Sequence, residues 1–193
     1  MFQVRIHGRG GQGVVTAAEL LSVAAFREGR HAQAFPSFGS ERTGAPVVSF
    51  CRIAHAPLRT HEPIASPDAL IVQDVTLLLH CDLLSGLTPD GYLLLNSSLT
   101  PEQLGLAGAV AELPPGHVMT VPATELAIEH VGRPLPNVPL LGAFAALTGQ
   151  ISLDSVVAAL VDRFPGAVGL ANGAAATAAY RLVRGEVSHA ATS

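Results

Sequence analysis

The stretch Phe2–Leu21, FQVRIHGRGGQGVVTAAELL, constrains this chain more than any other. A short β-prone run meets a glycine cluster, and an alanine-rich helical pattern follows at once. Gly8, Gly10 and Gly13 satisfy G-x-G-x-x-G, and Gly11 adds another glycine. In a strand–turn–helix unit, such glycines let backbone N–H groups at the positive end of a helix approach a phosphate. The motif fixes how the fold begins and where a ligand would sit, at the carboxyl edge of a sheet.

Short strand-like runs then alternate with helical ones. Strands are expected at 2–7, 31–35, 47–53, 69–73, 92–96 and 118–121. Helices are expected at 14–28, 75–84, 123–131, 140–147, from Ser152 to near Phe164, and 170–183. Thr100 is expected to cap a further short helix with Pro101 at its first position. The pattern predicts an α/β fold: an open, mostly parallel sheet with helices on both faces, Rossmann-like and three-layered. Residues 1–185 read as one domain and 186–193 as a frayed tail.

A self-contained dinucleotide site would need an acidic residue about 20 positions beyond the turn, for the ribose hydroxyl. The second strand instead ends Gln33-Ala34-Phe35-Pro36. The chain has no lysine, which excludes a Walker-type phosphate lysine and a Schiff-base lysine. Two readings of the turn remain open: a phosphate cradle, and a tight strand-to-helix corner that binds nothing.

A second loop follows the second strand. Pro36–Pro46, PSFGSERTGAP, holds Ser37, Ser40, Glu41, Arg42 and Thr43 between flexible glycines. If the second strand neighbours the first, both loops emerge at one edge of the sheet. Arg42 could there grip a phosphate or carboxylate bidentately, or join Glu41 in ion pairs across a subunit boundary.

The formal net charge of −4, without a basic cluster, argues against a nucleic-acid or anionic-membrane surface. Only 13% of residues are charged, against about 25% in ordinary soluble domains, so part of the surface is expected to be covered by partner subunits. Cys51 and Cys81 cannot ligate a four-cysteine cluster alone, and read as two buried, reduced thiols. With no signal-like N-terminus and no long apolar run, a cytoplasmic, unanchored protein is expected. No G-x-S-x-G, H-E-x-x-H or paired-carboxylate signature occurs, and the histidines are scattered singly. His7 alone borders the glycine turn. The residue chemistry favours a binding or assembly role over a complete enzyme.

HGRGGQGVVTAAELL and AFPSFGSERTGAPVVSFCRI together closely resemble the gamma subunit of 2-oxoacid:ferredoxin oxidoreductases, of which pyruvate:ferredoxin oxidoreductase (pyruvate synthase) is the best-known type. DALIVQD and PDGYLLLNSS look like that family's middle strands, and VPATELAIEHVGRPLPNVPLLGAFAALTG resembles its G-R-P-x-x-N turn with flanking helices. The resemblance implies a complex that oxidatively decarboxylates a 2-oxoacid, pyruvate foremost, to an acyl-CoA. It implies thiamine diphosphate with Mg and [4Fe–4S] clusters on alpha, beta and ferredoxin-like delta partners. Electrons would pass to ferredoxin, or through a flavin subunit to NAD as in phenylglyoxylate-type relatives. This chain would help assemble the complex and bind coenzyme A, with no catalytic residue of its own. The implied cofactor-binding residues are Gly8, Arg9, Gly10, Gly11, Gln12, Gly13, Ser37, Ser40 and Arg42. A scaffold subunit with an empty glycine turn is the alternative of another class.

Overall fold

The computed structural model describes residues 1–37 and 43–190, the last five as helix backbone alone. Six strands, β1 (Phe2–Arg9), β2 (His31–Pro36), β3 (Pro46–Ala54), β4 (Ala69–Val72), β5 (Tyr92–Asn96) and β6 (Val118–Val121), form one sheet. Their order is β2-β3-β1-β4-β5-β6. β3 runs antiparallel to both neighbours, and the β1–β4, β4–β5 and β5–β6 pairs are parallel. Five strands therefore point one way. The chain leaves β1 toward β2 on one side and later returns to place β4 on the other. That reversal is a topological switch point, which opens a crevice outside the carboxyl ends of β1 and β4.

Alternation along the strands divides the core in two. Val4, Ile6, Ala69, Ile71, Leu94, Met119 and Val121 face the helices. Leu70, Val72, Leu93 and Leu95 face the other way, toward Leu77, Leu83 and Leu106. All five α-helices pack on the first face: α1 (Val14–Arg27), α2 (Ala123–Val131), α3 (Asn137–Thr148), α4 (Leu153–Arg163) and α5 (Ala167–Ala190). α3 is buried all round from Asn137 to Leu147, as a helix apolar on every side must be. It begins three residues earlier than its pattern suggests. Pro139 sits in the first turn, where a backbone N–H would have no helical partner anyway. α5 remains helical through Ala190, where the sequence marks a frayed tail.

The opposite face is covered by turns rather than by regular helices. Val75–Leu79 forms only a short 3₁₀ turn, capped by Asp74. The expected helix to Leu84 ends at Leu79, and beyond it the Arg5 guanidinium donates to the Leu83 and Ser85 carbonyls at 2.9 and 2.6 Å. Cys81, expected to be buried, is exposed on this stretch, while Cys51 is buried in β3. At Thr100 the expected cap does form. The Thr100 N–H donates to Gln103 Oε1 at 2.9 Å, and the Gln103 N–H donates back to Thr100 Oγ1 at 3.3 Å. Gly105, at φ +75°, then ends the turn before a helix develops. Among the described residues, no helix is long and apolar enough to cross a membrane.

Candidate functional site at the carboxyl edge

Three glycines of the turn are required for three different reasons. A Cβ on Gly8 would lie 2.7 Å from Val14 Cγ2, so only glycine lets α1 fold back against β1. Gly13, at φ +74°, opens α1, and a Cβ there would lie 2.4 Å from Asn137 Nδ2. Gly11, at φ +95°, has nothing among the described residues within 4 Å of a built Cβ. The turn closes through the Gln12 N–H donating to the Arg9 carbonyl at 3.0 Å. Among the described residues no side chain caps α1, so its first N–H groups keep the orphan donors of a helix N-terminus.

The polar side chains of the turn are committed to Asp74, just beyond β4. Arg9 Nε donates to Asp74 Oδ2 at 3.0 Å and Gln12 Nε2 donates to the same oxygen at 3.1 Å. Gln12 Oε1 in turn accepts the Arg9 N–H at 2.7 Å. The two other guanidinium nitrogens of Arg9 donate to Thr76 Oγ1 and the Gly44 carbonyl. Burial alone would raise the Asp74 pKa. Hydrogen bonds from Thr76 and Gln12, with the Arg9 charge, outweigh that and hold it below the ordinary carboxylate value. Arg9 and Asp74 thus neutralise each other, and among the described residues of the turn the donors left for an anion are those of the α1 terminus.

The second loop meets this turn, but not through neighbouring strands. β3 lies between β1 and β2, and its opposed direction makes those two run the same way. Both loops consequently reach one edge. The Gly10 N–H donates to the Ala45 carbonyl at 2.8 Å, and the Gly44 N–H donates to the Gly10 carbonyl at 3.0 Å. Ser37 follows β2, exposed, its N–H donating to the Val48 carbonyl at 2.9 Å, two strand spacings or about 10 Å from β1. Ser40 and Arg42 lie outside the described residues.

Sequence reasoning missed further polar groups on this edge. Asn96 Nδ2 donates to the Gln73 carbonyl and to Thr124 Oγ1, both at 2.8 Å, and Asn96 Oδ1 accepts the Thr124 N–H at the start of α2. Asn137 Nδ2 donates to the Gly13 carbonyl at 3.3 Å, which ties α3 to the glycine turn. The Gln73 side chain is 1% exposed, and neither of its amide atoms has a partner. His7 Nε2 is also buried without a partner, and burial with the nearby Arg5 charge pushes the His7 pKa down to about 4. The available signal was a polar residue closing each apolar parallel strand, at Gln73-Asp74 and Asn96. For Asn137 it was the G-R-P-x-x-N turn.

Among the described residues no three His, Cys, Asp or Glu side chains converge as a metal site would require. An uncapped helix N-terminus beside the open Gly11 position fits an anionic group such as a phosphate.

Known proteins share this frame. Residues 3–182 match the pyruvate ferredoxin/flavodoxin oxidoreductase family. The pyruvate synthase subunit PorC of Methanosarcina barkeri is 50% identical over 186 residues, 96% of this chain and 99% of that one. The crystal structure of the pyruvate oxidoreductase subunit PORC from Thermotoga maritima aligns with a TM-score of 0.78 at 35% identity, covering 93% of this chain and 95% of the other. A 2-oxoglutarate:ferredoxin oxidoreductase from Magnetococcus marinus, with 2-oxoglutarate, coenzyme A and succinyl-CoA bound, shares the fold. Its TM-score is 0.71 at 18% identity, covering 96% of this chain and 31% of that one. This chain belongs to the pyruvate ferredoxin/flavodoxin oxidoreductase family, as a gamma-type subunit of a multi-subunit 2-oxoacid:ferredoxin oxidoreductase.

Proposed function

We propose that this chain forms one wall of a coenzyme A site in a complex that oxidatively decarboxylates a 2-oxoacid, pyruvate foremost, to an acyl-CoA. The observation that carries the reading is the α1 N-terminus. It is uncapped by any described side chain, opens beside Gly11 at the switch-point crevice, and is bonded through Gly10 to the end of the second loop. A phosphate of coenzyme A meets orphan N–H donors there, and Arg42 is the cation assigned to it from the loop. A fold relative with coenzyme A bound supports the same ligand.

Thiamine diphosphate with Mg and the [4Fe–4S] clusters are assigned to alpha, beta and delta subunits, with ferredoxin as electron acceptor. The scaffold reading has one observation on its side: Arg9 and Gln12, the polar side chains of the turn, are already satisfied by Asp74.

Reconstitution tests the assignment. The isolated chain is expected to show no 2-oxoacid oxidation, and the alpha–beta–delta assembly is expected to lose coenzyme A-dependent turnover without it. Full turnover by the assembly lacking this chain would overturn the reading.

A further inference from the structure

A cavity of about 540 Å³ lies between the α2–α3 turn and the helices α4 and α5. Its volume is that of a site for a small organic molecule. Val138, Phe164 and Val168 give it apolar walls, and Arg133 is the one charged residue that lines it. No hydrogen-bond or ion-pair partner holds the Arg133 guanidinium among the described residues. Two lining amides are nine-tenths buried. Asn137 donates to the Gly13 carbonyl, Asn172 donates to the Val168 carbonyl, and each keeps a side-chain oxygen able to accept. A cavity with such walls favours an apolar body, a lone guanidinium favours a carboxylate or phosphate, and amide oxygens favour an N–H or O–H donor.

We propose that this cavity binds an amphipathic anion: an aliphatic or aromatic chain ending in a carboxylate or phosphate that Arg133 grips. Two sources share that chemistry, a free organic acid and the amide-bearing arm of coenzyme A with its phosphate. Asn137 lies between the cavity and the glycine turn, so the second source would join both sites into one. The cavity does not require the coenzyme A reading, and the test lets either fail alone.

The test titrates the full-length chain with 8-anilinonaphthalene-1-sulfonate, whose rings and sulfonate mimic such a ligand, and follows its fluorescence. Arg133→Gln removes the cation, Ala171→Trp fills the cavity, and Arg59→Gln removes an exposed arginine elsewhere as a control. At least tenfold weaker binding is expected in the first two and no change in the control. If Ala171→Trp does not fold, Arg133→Gln decides. Displacement of the probe by coenzyme A identifies its arm as the occupant, and displacement by decanoate alone identifies a separate acid. Unchanged binding in the Arg133 variant, displacement by neither compound, or loss of the site when the partner subunits assemble would overturn the proposal.

Discussion

Arg9 and Asp74 form an ion pair of 3.0 Å that fastens the turn after β1 to the residue after β4, across the mouth of the switch-point crevice. The pair is partly exposed, so solvent screens it and its direct worth is about 1 kcal/mol or less. Asp74→Asn removes the charge but keeps the shape. A fall in Tm of about 2–4 °C at pH 7 is expected for a chain of this size. The Asp74 pKa is held below its unfolded value, so its contribution is present above the ordinary carboxylate range. It is lost as pH falls through the depressed value. Thermal scans should show wild type and variant converging at that acid end. An undiminished difference there would contradict the role given to the charge.

His7 also makes the chain less stable in acid, but through a buried neutral imidazole and at higher pH. Its folded pKa of about 4 lies below the unfolded value near 6.5, so between those limits the unfolded chain binds the extra proton. Stability should therefore fall as pH drops from 6.5 toward 4, by about 2–3 kcal/mol at the lower end. His7→Phe should flatten that window in urea titrations while leaving the slope below pH 4 to the carboxylates. An unchanged pH profile in the variant would remove His7 as the cause.

The α3–α5 packing depends on a missing side chain. A Cβ on Gly142 would lie 1.9 Å from the Ala176 carbonyl oxygen, a backbone atom that cannot swing aside. Gly142→Ala should force the helices apart and lower stability by about 2–3 kcal/mol, read as a shifted urea midpoint with unchanged m. A variant as stable as wild type would mean that the two helices slide without loss.

Much of this architecture is readable from local pattern. The runs ALIV and YLLLN are apolar enough to be buried on both faces, and the glycine turn announces the carboxyl edge. The place of β3 is not readable, because its pairing with both β1 and β2 is a long-range choice that alternation does not encode. The stretch after Asp74 carries a helical pattern but folds as a short 3₁₀ turn followed by turns, whose later carbonyls at Leu83 and Ser85 are bound by Arg5, about 80 positions away in sequence, a contact no local pattern encodes. At the candidate site the glycines were visible, each identified by a backbone need. Asp74, Gln73, Asn96 and Asn137 were not, because an amide or carboxylate gains its role only from what the folded chain sets beside it.

Calorimetry on the assembled complex tests most directly whether the glycine turn and the second loop hold coenzyme A. Gly11→Val places a branched side chain in the open space at the α1 terminus but also strains the turn at φ +95°, so its thermal stability is measured beside its affinity, and Arg42→Ala removes the loop cation assigned to the phosphate. The loss of a charged phosphate contact is worth about 1.5–3 kcal/mol, so coenzyme A should bind roughly ten- to a hundredfold more weakly after Arg42→Ala, and a side chain in the phosphate's space should weaken it in the Gly11 variant as well. Affinity equal to wild type in both would contradict the account and leave this chain as a scaffold.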